Sequence, residues 1–224
     1  MTRAHDMGGR FGDGPVVTEA VKPVFHKDWH GRALAVTLAC GSHGKWNIDV
    51  SRHARECLTP TDYARFSYYE KWASGLTDLL VSHRLITREE LEGEVDPAPS
   101  DYAKTVLKPE AVAAVLAKGG PSSRKSDIAP VFKVGDQVVT RRIAQNVLVD
   151  GGHTRLPVYA AGARGTIVLM HGAHVLPDSS AHGLGDAAEP LYGVCFAASE
   201  LWSHPEHPRD EVMLDLWQSY LAPA

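Results

Sequence analysis

Twelve histidines make metal ligation the first chemistry to weigh. The close pairs are His26/His30, His171/His174 and His204/His207, and none is joined by a thiol or carboxylate in a zinc-site pattern. The thiols Cys40, Cys57 and Cys195 are odd in number and widely spaced, with no CxxC, so reduced and buried cysteines are expected. Ser199 and Ser203 lie in no Gly-x-Ser-x-Gly elbow, which leaves acyl transfer without local support. The glycine segments form neither a GxGxxG after a strand nor a Walker loop, so the common nucleotide sites are excluded. What remains is a group of arginines and aromatics. Arg52 and Arg155, each taken alone, read as solvated or salt-bridged surface residues, and Tyr68, Tyr69 and Trp72 as core.

The elements that must position these residues follow from periodicity. Met7 to Pro15 carries four glycines and a proline, cannot be a regular element, and has too little apolar content to pack well on its own chain. Such an arm is either mobile or ordered by a partner's surface. From Asp28, the positions Trp29, Ala33, Val36 and Cys40 make one helical stripe that Gly41 and Gly44 stop. A short helix over Ile48 to Cys57 is followed by Thr59-Pro60-Thr61-Asp62, a start signal for a long helix reaching about His83. Its apolar positions, Tyr63, Phe66, Tyr69, Trp72, Ala73, Leu76, Leu79 and Leu80, predict a wide buried face. Thr87 to Glu90 repeats the capping logic for a short helix ending at Glu92, and Pro109 to Lys118 is a helical island. After Pro130 the period becomes two, around Phe132 to Thr140, Gly165 to Met170, Tyr192 to Phe196 and Val212 to Leu216, which predicts four or five short strands in a small barrel. The expected organisation is α+β: an extended N-terminal arm over 1–27, a helical domain over 28–93, a linker with one short helix over 94–130, and a small β-barrel domain over 131–224.

The chain of 224 residues and 24.3 kDa is long enough for one large domain or two of about 100 residues with a core that needs no disulfides. A formal charge of -4 gives no positive field for nucleic acid. No apolar stretch approaches the roughly 20 residues that cross a bilayer. The first residues lack the apolar run of a secretory signal, so a soluble cytoplasmic protein with no nucleic-acid or membrane partner is expected.

Several segments, taken in order, resemble the β subunit of nitrile hydratase. They are His5-Asp6-Met7-Gly8-Gly9, Phe25-His26-Lys27-Asp28-Trp29, Ser67-Tyr68-Tyr69-Glu70-Lys71-Trp72, Phe132-Lys133-Val134-Gly135-Asp136 and Gly152-His153-Thr154-Arg155-Leu156-Pro157. Gly172 to Asp178, Glu200-Leu201-Trp202 and Asp215 to Leu221 complete the series, so the likeness runs from end to end.

The resemblance implies an enzyme that hydrates nitriles to amides and works only with an α subunit, as an αβ or α2β2 assembly. The metal, Fe(III) or Co(III), would belong to that α subunit, held by a Cys-x-x-Cys-Ser-Cys claw with two oxidised thiols. This chain would bind no metal or cofactor itself. By the same likeness Arg52, Arg155 and Tyr68 are the catalytic candidates, and Ile48, Ser51 and Trp72 would line the substrate pocket. A guanidinium suits oxidised sulfur ligands, because its planar fork grips anionic oxygens with two parallel donors and keeps its charge. Ser51 stands where relatives have a bulkier apolar residue, implying a roomier or more polar pocket, and Lys71 where some have His. The resemblance also makes the barrel SH3-like and has the arm wrap the α subunit. Competing expectations are a thiocyanate hydrolase-type subunit, whose corresponding halves are separate chains, and a non-catalytic escort of the metal-bearing subunit, which would not keep Arg155. An unrelated peptide-binding module is a third, without the aromatic groove it would need.

Overall fold

The computed structural model describes residues 4–9, 18, 23–97 and 99–224. The chain divides into two compact units, one of Asp6–Gly9 with Pro121–Ala224 and one holding the remainder up to Gly120. The unit ending at Gly120 contains helices α1 (Asp28–Gly41), α2 (Ile48–Glu56), α3 (Pro60–Arg65), α4 (Tyr68–Ser82), α5 (Arg88–Glu92) and α6 (Pro109–Lys118). A turn of 3-10 helix at Asp101–Thr105, absent from the sequence reading, precedes α6. Helix α4 packs on both α1 and α2.

The long helix expected after Thr59 is two helices. Phe66 and Ser67 are extended, and Ser67 opens α4 with a capping box in which its backbone N–H donates to the Glu70 carboxylate at 2.7 Å. That local cap stops α3 from running on, although the apolar period continues across the break. The buried stripe is consequently narrower than predicted: Gly75, Leu76 and Leu79 are buried on α4, while Ala73 is exposed.

The second unit is built on β1 (Gln137–Thr140), β2 (Arg164–His174), β3 (Glu189–Ala197), β4 (Glu211–Trp217) and β5 (Leu221–Pro223). They form one antiparallel sheet in the order β4-β3-β2-β1-β5, with β4 and β5 at the edges. Strand β2 shifts register against β3 twice, between Ile167 and Leu169 and between Met170 and Gly172. Such irregularities bend a strand and increase its twist. Val138, Ile167, Val194, Phe196 and Leu216 make the core, with Tyr192 and Tyr220 fully buried among them. Gly165 lets β2 lie close on β3, since a Cβ there would stand 2.6 Å from Val194 Cγ1.

Part of the arm finds packing on its own chain, contrary to the sequence expectation. Asp6 accepts the Val158 N–H at 2.9 Å, and Trp202 Nε1–H donates to the Gly9 carbonyl at 3.1 Å. Gly9 has φ +71° and sits so close that a Cβ would lie 2.8 Å from Tyr159 Cβ, which only glycine tolerates. The remaining glycine-rich stretch, Arg10 to Pro15, lies outside the described residues. The three cysteines are free as expected, but none is buried: Cys57 is exposed, and Cys40 and Cys195 are half-buried.

Candidate active site

Helix α2 begins at Asn47, whose side-chain oxygen accepts the N–H groups of Asp49 and Val50 at 3.0 and 2.9 Å. The cap satisfies two donors that the first turn leaves unpaired and fixes where the helix starts. Starting at Ile48, the helix carries Ile48, Ser51, Arg52 and Arg55 at the three-and-four spacing that keeps side chains on one face. Ile48 is 59% exposed, a large apolar side chain left open beside a cation. Arg52 Nη1 donates to Asp49 Oδ1 at 3.0 Å; the carboxylate is 7% exposed and the guanidinium 43%. The buried acid therefore fixes one side of the guanidinium and leaves the other donors of the fork open.

Arg55, which the sequence reading passed over, joins α2 to α4. Its Nε–H donates to the Ser51 carbonyl at 3.0 Å, and its guanidinium carbon lies 4.6 Å from the centre of the Trp72 ring. Burial pulls the Arg55 pKa below its ordinary value, while neighbouring Tyr68 and Glu56 oppose that shift. Trp72 in turn lies 5.5 Å from Tyr68, whose ring is 63% exposed at the first turn of α4. Tyr69 stands edge-on to Tyr68 at 5.1 Å and faces the buried His30 of α1 at 4.7 Å. Ser51, Arg55, Trp72 and Tyr68 thus form a continuous row across α2 and α4, and Gly75 makes the approach close enough. A Cβ on Gly75 would meet Arg55 Cγ at 2.8 Å and the Arg55 backbone nitrogen at 3.3 Å.

On the same helix, hydrogen bonds from His53 to the Cys57 sulfur and to Glu56 push the His53 pKa up to about 9. The sequence signals for this arrangement were Asn47-Ile48-Asp49 as a cap and a second arginine three positions after Arg52. Nothing in the sequence pairs that second arginine with Trp72.

Arg155 belongs to the sheet unit, whereas the other candidates belong to the helical unit. It is exposed, on a non-helical, non-strand segment just before the fully buried Leu156. Its backbone N–H donates to the Tyr220 hydroxyl at 3.2 Å. His153, two residues earlier, is buried; its N–H donates to His182 Nε2 at 3.0 Å and its carbonyl accepts Asn146 Nδ2–H at 2.6 Å. The backbone is tied down while the residue itself stays exposed, as in a loop held on a rigid scaffold.

Residues 1–118 match the family profile described as nitrile hydratase beta subunit, N-terminal, and residues 121–223 that described as nitrile hydratase beta subunit, C-terminal. The chain belongs to the nitrile hydratase β-subunit family. This β subunit is 35% identical over 230 residues to the low-molecular weight cobalt-containing nitrile hydratase subunit beta of Rhodococcus rhodochrous, with all of both chains covered. It is 34% identical to the nitrile hydratase subunit beta of Pseudomonas putida, again over all of both chains. Identity is also 34% to the cobalt-containing nitrile hydratase subunit beta of Pseudonocardia thermophila, covering 99% of this chain and 96% of that one. A thiocyanate hydrolase from Thiobacillus thioparus is similar at a TM-score of 0.39 and 23% identity, covering 58% of this chain and all of that one, too weak a likeness to decide anything. The end-to-end resemblance read from the sequence therefore holds in both halves, and none of the described helices is long and apolar enough to cross a membrane.

Proposed function

We propose that this β subunit hydrates nitriles to amides in a cytoplasmic αβ or α2β2 complex whose α subunit holds Fe(III) or Co(III). The observation that carries the reading is the α2 face, where the Arg52 guanidinium is steadied by a buried carboxylate and left open on the face that carries exposed Ile48, with exposed Tyr68 on the neighbouring α4. A guanidinium and a neutral phenol act as hydrogen-bond donors, so this donor set fits a metal centre held by the partner. When bound, that metal supplies Lewis acidity toward a nitrile and its attacking oxygen.

The residues of this chain act around that centre. Arg52 and Arg155 donate to the oxygens of oxidised cysteine ligands, holding their negative charge with forked hydrogen bonds. Tyr68 donates a hydrogen bond toward the reacting groups. Ile48 and Trp72 wall the pocket for the nitrile substituent, and Ser51 leaves it roomier. Covered by the partner, this apolar and cationic surface excludes bulk water, which strengthens every electrostatic contact inside. At the level of architecture we read an arm over 1–27, a helical domain over 28–93, a linker over 94–130 and an SH3-like barrel over 131–224. The bent β2 and the five-strand order support the barrel reading.

Co-expression with a subunit carrying the Cys-x-x-Cys-Ser-Cys claw tests this reading. The expected result is a coloured, metal-containing complex that converts a small aliphatic nitrile to its amide. A colourless single chain with no turnover would overturn the reading, and a complex that loads metal and then releases this chain before turnover would assign an escort role instead.

A further inference from the structure

The sheet unit buries an acidic side chain, which desolvation makes a poor source of stability. Asp178, 2% exposed, lies on the four-residue helix Pro177–Ser180, and its Oδ1 accepts the hydroxyl of the fully buried Tyr220. Burial raises the Asp178 pKa, with the Tyr220 hydrogen bond opposing that shift. The nearest guanidinium, Arg141, stands 3.9 Å from Oδ2 and covers the Tyr220 ring at 4.8 Å. A buried carboxylate held by hydrogen bonds from Tyr220 and Thr154 and by one long ion pair is commonly no better for stability than apolar residues of the same volume. Its geometry has another consequence. Because the Tyr220 hydroxyl donates its hydrogen bond to Asp178, the lone pairs of the phenol oxygen are left to accept from other donors. It receives the Thr154 hydroxyl at 3.3 Å and the Arg155 backbone N–H at 3.2 Å. Asn146 Nδ2 bridges the His153 and Asp178 carbonyls at 2.6 and 2.8 Å, so one amide ties the loop to the helix that bears the acid.

We infer that Asp178 and Tyr220 form a positioning pair for Arg155: the acid orients the phenol, and the phenol holds the loop so that the exposed guanidinium is aimed before any partner binds. The inference rests on the functional reading of Arg155 given above. Neither residue touches substrate; both act through the loop backbone. Displacing a catalytic group by about 1 Å costs up to about 100-fold in rate, which sets the scale available to such a device.

The test is a double-mutant cycle on the complex with the α subunit, using Tyr220→Phe, Arg155→Lys and both together. Tyr220→Phe is expected to lower kcat about tenfold with KM within about twofold, because it moves a group that acts in the transition state. In the Arg155→Lys background it should cost no more than about twofold further, since coupled residues are non-additive. Ile167→Val, a core change, supplies the structural control: it should lower the melting temperature with kcat unchanged. Asp178→Asn keeps an oxygen for the phenol and should restore most of the activity that an alanine there removes. If Tyr220→Phe fails to assemble, Thr154→Val carries the test, with a fall in kcat of about threefold expected. Wild-type kcat in Tyr220→Phe, or in Thr154→Val where that variant stands in, would overturn the inference, as would full additivity in the double variant. Wild-type kcat in Arg155→Lys would overturn the functional reading and this inference together, whereas its loss alongside an unaffected Tyr220→Phe would remove this inference alone.

Discussion

Replacing Gly75 by alanine sets two effects against each other at the contact of α2 and α4. Alanine is the better helix former by about 0.8–1.0 kcal/mol in a helix interior, so on propensity alone the variant should gain stability. Against that, the new Cβ would lie 2.8 Å from Arg55 Cγ, 3.3 Å from the Arg55 nitrogen and 3.5 Å from its Cα. Arg55 Cγ is not the free end of its side chain and the α2 backbone lies just behind it, so α2 must yield by a few tenths of an ångström, and inserting a methyl into such a contact costs about 1–3 kcal/mol. The sum is a destabilisation between zero and about 2 kcal/mol, centred near 1. For a chain of this size that lowers the melting temperature by about 2–4 °C. The larger effect should be on turnover. Pushing α2 outward carries Ser51 and Arg52 with it and lifts Arg55 from Trp72, so kcat should fall at least about fivefold, out of proportion to the stability loss. Scanning calorimetry and steady-state amide formation on the assembled complex read both quantities. A melting temperature that rises by 2–4 °C, with unchanged kcat, would show that Gly75 merely weakens its helix and that the close approach positions nothing.

Asn47→Ala removes the cap that fixes the start of α2 and should cost about 1 kcal/mol, seen as a loss of about 2–4 °C in melting temperature. An unchanged melting temperature would mean that the cap is redundant. His53 gives a pH signature: its pKa is raised to about 9 in the folded chain from an unperturbed value of 6.5. A raised histidine pKa contributes stability that is complete below the unfolded value and is lost as pH rises through the folded value, here between pH 6.5 and about 9. Glu56→Gln should lower the His53 midpoint in an NMR titration and flatten the decline in urea resistance over that window. A wild-type midpoint near 6.5 would contradict the assignment.

The helices with their own start and stop residues were legible in the sequence. Pro109 at the first turn and Gly119 after the last residue bound α6 as read, and Asp28 to Gly41 is α1. The break at Phe66–Ser67 was missed because apolar periodicity continues through it, while the deciding contact is a two-residue exchange between Ser67 and Glu70. That Ser-x-x-Glu pattern was readable and should outrank periodicity where the two compete. Strand β5 has three residues, too few for an alternation to show. At the candidate site, the placement of Ile48, Ser51, Arg52, Tyr68 and Trp72 on neighbouring helices follows from local rules plus one packing contact. Arg55 did not stand out, since a charged helical residue reads as solvated until a ring is found beneath it. The anchoring of Arg155 was invisible for a different reason: its partner Tyr220 lies 65 residues away, joined only through the sheet. Such contacts carry no local pattern.

The most direct measurement is kcat for nitrile hydration in complexes containing Arg52→Lys or Arg155→Lys, with metal content and assembly measured alongside. Lysine keeps the charge and loses the fork; on the proposed reading the oxidised sulfur ligands of the partner would then lack their paired donors, a loss of the order of 3 kcal/mol by comparison with broken buried pairs. That corresponds to a fall in kcat of about 100-fold or greater in each variant, with metal and subunit ratio unchanged. Wild-type turnover in either variant would contradict the role given to that guanidinium.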